Sequence, residues 1–238
     1  MEQIGLLHDG QIYDLQTAEA LNIKGDIIKA DDSKESLEIL RHSCAHMMAQ
    51  AIKELYPEAK FFVGPVVKEG FYYDFKVESK ISDEDLPTIE KKMKEIADRK
   101  LPITRHETTK EEFYEKFKND ELKQAVLKNI KDDTLTIYKQ GDFEDLCRGP
   151  HLPNTRMIRS FKLTRVAGAY LGGDEKNEMI TRIYGIAFFD KQALFDYTKM
   201  IEEAKKRDHR KLGTELELFT FNDDVGAGLP MWLPNGAR

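Results

Sequence analysis

The sequence predicts an α+β fold: a mixed or antiparallel sheet with packed helices, preceded by a small, abbreviated β-rich N-terminal segment. Stretches with strand periodicity and stretches with helical periodicity interleave along the 238 residues, without the regular alternation of a doubly wound parallel sheet. Hydrophobic residues make up 40% and charged residues 34%, with 8 Pro and 15 Gly, which excludes collagen-like, low-complexity and wholly disordered chains. No apolar run is long enough to span a bilayer, and MEQIGLLHDGQIYDL has neither the basic n-region nor the apolar h-region of a signal peptide, so no membrane is expected. Two cysteines, Cys44 and Cys147, are too few for a disulfide framework and fit a reducing cytoplasm.

Residues 1 to about 30 read as short strands and turns with little core of their own, His8-Asp9-Gly10 making a hairpin turn before Gln11-Ile12-Tyr13. Asp32 with Glu35 resembles a capping box, and Leu40, Cys44, Met47, Met48, Ala51 and Leu55 recur at helical spacing until Pro57, so a helix is expected over 34–56. Residues 61–67 and 71–75 read as two strands around Lys68-Glu69-Gly70. Leu86, Ile89, Met93 and Ile96 mark a second amphipathic helix from about Asp83, and Leu101 to Glu107 a strand after it. One or two helices follow over 109–131, interrupted near Asn119-Asp120. Strands are expected at 134–138, 161–170 and 179–188, the last two paired around Gly172-Gly173-Asp174. Residues 190–212 read as one long charged helix with Ala193, Leu194, Tyr197, Ile201, Ala204 and Leu212 inward, and the remainder as short apolar pieces.

The chemistry concentrates in two short motifs. His42 and His46 stand four apart on the first helix, so both rings project from one face. Cys44 lies roughly 200 degrees around the helix from each and points to the core. In Asp145-Leu146-Cys147-Arg148-Gly149-Pro150-His151, Gly-Pro forces a bend that can turn Cys147 and His151 towards one point. Either motif alone is more often structural than functional; together they offer His, His, Cys and His. That set suits a tetrahedral zinc ion, and it equally suits metal-free chemistry in which neutral imidazoles orient or deprotonate a water. Spacing leaves both open.

Charge is segregated. The whole chain carries 37 basic against 43 acidic side chains, a net of −6, which disfavours a wholesale electrostatic nucleic-acid binder. Yet residues 146–173 hold Arg148, Arg156, Arg159, Lys162 and Arg165 with no Asp or Glu, and residues 199–211 are also net basic. A single run of this kind is usually a solvated face.

Arg41-His42-Ser43-Cys44-Ala45-His46, Val63-Gly64-Pro65-Val66, Gly70-Phe71-Tyr72-Tyr73-Asp74 and Asp145 through Thr155 resemble the editing domain of the bacterial threonyl-tRNA synthetases. Phe161-Lys162-Leu163, Ala167-Gly168-Ala169-Tyr170, Arg182-Ile183-Tyr184-Gly185 and Arg207-Asp208-His209-Arg210-Lys211-Leu212-Gly213 extend the resemblance over about residues 33 to 235. It implies the threonyl/alanyl editing-domain fold of class II synthetases. The expected organisation is an abbreviated TGS-like segment at 1–32, an editing domain at 33–189, a helical linker at 190–213 and the start of a class II catalytic domain at 214–238. The chain is then the front part of a longer enzyme and does not itself activate threonine.

The implied activity is hydrolysis of seryl-tRNA mischarged on the threonine tRNA, since one missing methyl gives an aminoacylation site limited discrimination. The resemblance carries catalytic roles onto His42, His46, Lys123, Asp145, Cys147 and His151, and pocket roles onto Tyr73 and Gly64. By itself Lys123 reads as a solvated helix lysine. The acceptor end of tRNA(Thr) is expected along the acid-free segment, met by Arg156, Arg159, Lys162 or Arg165. No metal is expected to be required, with zinc at the tetrad as the alternative; the ATP, the zinc and the homodimer contacts of the full-length enzyme belong to its catalytic domain. Two other readings compete: a zinc-dependent alanyl-type trans-editing hydrolase, and a noncatalytic tRNA-binding module.

Overall fold

The computed structural model describes residues 1–221, 226 and 229–237, with Arg210 through its backbone alone. Strands β1 (Gln3–His8) and β2 (Gln11–Asp14) form the expected hairpin, with Asp9 and Gly10 both at positive φ. That is what a two-residue turn between twisted strands requires, and Asp-Gly supplies it. Asp14 then caps α1 (Leu15–Ala20) by accepting the Thr17 N–H at 2.8 Å, and β3 (Asp26–Lys29) returns antiparallel to β1. This segment is not separate from the main core: Ile4 and Ile28 are buried in the same cluster as the long helix that follows.

That helix, α2 (Lys34–Leu55), matches its expected span, but its cap differs. Ser33 is the N-cap and makes no side-chain cap bond, while Asp32 instead accepts from the backbone N–H of Phe189 at 2.7 Å and of Asp190 at 3.4 Å. A tertiary contact has taken the carboxylate that the local pattern assigned to the helix. Between Ile39 and Ile52 nearly every residue is buried, so α2 is a central helix rather than an amphipathic surface one.

Strands β4 (Lys60–Phe61) and β5 (Val66–Val67) replace the single strand expected over 61–67, whereas β6 (Gly70–Lys76) covers the strand expected over 71–75. The break falls at Gly64-Pro65, where Gly64 packs on the Tyr73 ring so closely that a Cβ would come within 2.4 Å of it. A short turn with a Ser82/Asp85 capping box leads into α3 (Leu86–Asp98), which packs along α2. Then come β7 (Ile103–Thr109), α4 (Lys110–Lys116), α5 (Glu121–Lys128), β8 (Thr134–Gln140), β9 (Phe143–Leu146), β10 (Ser160–Tyr170) and β11 (Met179–Phe188).

Two sheets result. One has the order β10-β11-β6-β4, with β5 also on β6, all neighbours antiparallel; the other has the order β7-β8-β9. Phe71, Tyr73 and Phe75 of β6 and Ile183 of β11 face α2 in the core. From the second sheet, Tyr138 and Phe143 join that core, and Gln140 Nε2 donates to Gln50 Oε1 of α2 at 2.6 Å. Phe113 of α4 and Leu127 of α5 make a small separate core with Leu135 and Ile137 of β8. The mixed helix and antiparallel-sheet architecture is the α+β class expected.

The chain divides into two compact units, Met1–Lys191 and Gln192–Arg238. The second contains all but the first residue of α6 (Lys191–Lys206), α7 (His209–Glu215) and an antiparallel pair, β12 (Phe219–Phe221) and β13 (Pro230–Trp232). The single helix expected over 190–212 is thus two, because Asp208 begins a new helix by accepting the Leu212 N–H at 2.9 Å. Ala193, Leu194, Tyr197 and Ile201 form a half-buried stripe as expected, whereas Ala204 is exposed. The segment 214–238, read as the start of a further domain, lies partly outside the described residues.

Candidate active site

Polar side chains on a helix buried all round must find partners there. Arg41 donates to the carbonyls of Lys68 (3.1 Å) and Ala187 (3.5 Å), closing α2 onto the sheet. Ser43 Oγ donates to Ile39 O (2.9 Å) and accepts the Leu152 N–H at 2.8 Å, which pins the segment after Pro150 to α2. The same hydroxyl lies 3.3 Å from His151 Nδ1. His46 is buried on the row that runs on to Gln50, with His42 one turn before it at the half-buried end.

The two sequence motifs meet. One donor atom from each of His42, His46, Cys147 and His151 lies within 4.8 Å of the others. Cys147 Sγ is 3.1 Å from His42 Nε2 and 3.2 Å from His151 Nε2, and it accepts the Gly149 N–H at 3.2 Å. With one hydrogen, the thiol donates to only one imidazole; the other must donate to sulfur. Cys44, as expected, is turned away and fully buried.

Burial sets the protonation of this cluster. Desolvation lowers the His42 pKa to about 4, against a partial pull upwards from the Pro150 and Gly149 carbonyls and the carboxylates of Asp14 and Asp145. Desolvation, then repulsion from His42, lowers His46 to about 3, and the same two causes hold His151 well below its ordinary value. Burial also pushes the Cys147 thiol far up. At neutral pH the site therefore holds three neutral imidazoles and a neutral thiol. Such imidazoles can accept a proton, whereas such a thiol is no nucleophile.

Beside the tetrad lies a buried trio. Lys123 on α5 is 4% exposed and Asp145 on β9 is 2% exposed. Lys123 Nζ donates to Asp145 Oδ1, and the Tyr73 hydroxyl donates to Oδ2. Oδ1 also accepts the Leu146 N–H at 2.7 Å. Tyr73 is backed by Gly64 and faces His46, with ring centroids 6.3 Å apart. All eight expected catalytic and pocket residues thus fall in one neighbourhood, and Lys123 is buried there rather than solvated.

The four basic residues assigned to tRNA are arranged differently. Register places Arg165 opposite Tyr184 and Lys162 opposite Ile186, on the sheet face turned away from α2. Arg165 lies over the Tyr184 ring at 4.1 Å. Arg159 pairs with Asp98 at 2.8 Å, and Arg156 is exposed on the short turn after Asn154. Arg148, next to Cys147 in the chain, stands on the rim of a cavity of about 480 Å³ that reaches Cys147 and has Val126, Ile130, Leu135 and Leu146 as apolar walls. Arg148 pairs with Asp132 across that rim at 3.1 Å. Asp14 and Tyr138 also reach the site, although no local pattern in the sequence marks them.

The donor set fits zinc: three nitrogens and one sulfur within 4.8 Å of one another, on imidazoles that burial holds neutral, each with one nitrogen lone pair to offer. The thiol would have to release its proton to zinc on binding.

Residues 135–184 match the family described as the threonyl and alanyl tRNA synthetase second additional domain. Over 237 residues, the whole of this chain, it is 66% identical to a threonine–tRNA ligase of Campylobacter jejuni and 65% identical to that of Helicobacter hepaticus, covering 39% of each. The threonine–tRNA ligase of Nautilia profundicola is 66% identical over 235 residues, 98% of this chain and 38% of that protein. The chain spans about 39% of the length of these relatives. Among the described residues no helix is long and apolar enough to cross a membrane. By the similarity over the whole chain and the domain match together, the chain belongs to the threonyl-tRNA synthetase family, as an N-terminal part that contains the second additional domain.

Proposed function

We propose that this part of the synthetase hydrolyses the ester of seryl-tRNA mischarged on tRNA(Thr). One observation carries the reading: two motifs about a hundred residues apart converge into a cluster of neutral imidazoles beside a buried lysine, next to a cavity rimmed by the Arg148–Asp132 ion pair. A water held by an imidazole gives that nitrogen a proton as its oxygen adds to the seryl carbonyl carbon. The bond to the ribose oxygen then breaks, and the ribose oxygen takes a proton. Asp145 is committed to Lys123, Tyr73 and Leu146, so it aims the lysine; the ammonium, fixed in a desolvated cleft, is placed to stabilise the developing oxyanion. The terminal nucleoside enters by the cavity beside Cys147, with the acceptor end of tRNA(Thr) as partner and the cytoplasm as location.

The test follows ester loss from seryl- and threonyl-tRNA(Thr), for this chain and for the full-length synthetase. Selective loss of the seryl ester supports the reading, and equal background rates defeat it. Under the RNA-binding alternative, His42→Ala leaves every measured activity unchanged.

The close packing of the four donors supports a second reading, in which zinc occupies the tetrad. Bound there, zinc would polarise a water or the ester carbonyl. Metal analysis with a chelator control separates the two: stoichiometric zinc, with activity lost on its removal, establishes the zinc form.

A further inference from the structure

Asp14 belongs to the N-terminal segment, yet it is 2% exposed and lies under the second motif. Its Oδ1 accepts the Thr17 N–H. Its Oδ2 accepts two more hydrogen bonds, from the Tyr138 hydroxyl at 2.6 Å and from the backbone N–H of His151 at 3.0 Å. The Thr17 hydroxyl is 3.0 Å from that of Tyr138, and since Tyr138 spends its hydrogen on Asp14, Thr17 is the donor between them. The Tyr138 ring sits 4.4 Å from the His151 imidazole, centroid to centroid.

The bend at Gly149 is shaped to this arrangement. Gly149 has φ +77, and a Cβ there would come within 2.6 Å of the Tyr138 hydroxyl and 2.8 Å of Asp14 Oδ2. Only glycine lets the backbone pass, and on either side of it stand Cys147 and His151, which must both face His42. Nearby, Gln16 of α1 clasps β7, donating to Ile103 O at 2.6 Å and accepting the Arg105 N–H at 2.8 Å. The N-terminal segment is thus bonded to the second sheet at several points, one of which is the motif itself.

We propose that Asp14 is a positioning residue for the tetrad: its carboxylate, delivered by the N-terminal hairpin, fixes the Gly149–His151 bend and so sets Cys147 and His151 against His42. The catalytic part of this inference rests on the hydrolase reading above. A small displacement of reacting groups can cost about 100-fold in rate, so losing the second acceptor is expected to lower kcat by about 10- to 100-fold.

The deciding variant is Asp14→Asn. Asparagine caps a helix about as well as aspartate, so a carboxylate that merely caps α1 predicts wild-type kcat in this variant. The positioning role predicts a fall in kcat with KM for seryl-tRNA(Thr) within about twofold of wild type, because Asp14 does not line the cavity beside Cys147. Tyr138→Phe keeps the His151 bond and is expected to lose less. Imidazole resonances, followed by NMR in the same proteins, give a readout independent of activity. Those of His42 and His151 are expected to move in Asp14→Asn, while those of His8, His106 and His209 stay in place. Unmoved resonances, or wild-type kcat in an active enzyme, overturn the proposal. If the wild type hydrolyses neither ester, the hydrolase reading fails and the resonances alone decide whether Asp14 sets the geometry.

Discussion

A buried ammonium is tolerated only beside a buried partner, and removing either one strands the other in a medium that solvates it poorly. Lys123→Met leaves the Asp145 carboxylate with Tyr73 and Leu146 as its remaining donors. The expected loss is about 3 kcal/mol, the lower end of the range for breaking a buried pair, read as a lower urea midpoint at unchanged m-value. Lys123→Met with Asp145→Leu together is expected to be less destabilised than Lys123→Met alone. The histidines make a second prediction at this scale. Unfolded imidazoles bind a proton near pH 6.5, whereas burial holds His42 near 4, His46 near 3 and His151 well below its ordinary value. Between about pH 6.5 and 4 the unfolded chain therefore binds more protons, and stability falls as pH falls through that window. The Tm of metal-free protein is expected to decline from pH 7.5 to pH 5 by more than that of His42→Gln; equal declines would refute the assignment. The tetrad was legible in the sequence because each half is a short motif with a fixed spacing. Asp14 and Tyr138 were not, because their roles come from tertiary contacts across more than a hundred residues.

Elements were legible where their periodicity was local. Helix α2 and strands β10 and β11 lie within a residue of their expected spans, and the break between α4 and α5 falls at the expected Asn119-Asp120. Helix α1 and strand β9 were missed: the first is only six residues long, and the second, Phe-Glu-Asp-Leu, alternates too briefly to register. The capping box read at Asp32 failed because the backbone at 189–190 competes for the same carboxylate. The cap of α5 bears on the proposed hydrolysis. Asp120 Oδ1 accepts the N–H groups of both Leu122 and Lys123 at 3.1 Å, so the cap also holds the backbone of Lys123. Asp120→Ala is expected to cost about 1 kcal/mol of stability and to lower kcat for seryl-ester hydrolysis, while Asp120→Ser, which can accept the same bonds, restores most of both. Denaturation curves and single-turnover rates on the same preparations check this; a stability loss with no change in rate would show that the cap does not govern Lys123.

At the scale of the whole molecule, an acidic chain receives an anionic partner only if its positive charges are sorted by place, and here they fall into two sets. Arg148 rims the cavity that reaches Cys147, whereas Lys162 and Arg165 lie on the sheet face turned away from α2 and are not among the residues that line that cavity. The acid-free run from 146 to 173 therefore looks continuous in sequence but splits in space, which only the strand register reveals. The two sets predict different losses with two substrates, seryl-tRNA(Thr) and the seryl ester of adenosine alone. Arg148→Ala is expected to lower kcat/KM for both, because the rim serves the end that reacts. Lys162→Ala with Arg165→Ala is expected to raise KM for the whole tRNA and leave the small ester unaffected. Removing one cation that neutralises a phosphate should also reduce the slope of log K against log salt by about 0.7 to 0.9, so the double variant's slope should fall by roughly twice that. An unchanged slope and KM would remove the outer sheet face from the tRNA path and leave the Arg148 rim as the point of entry.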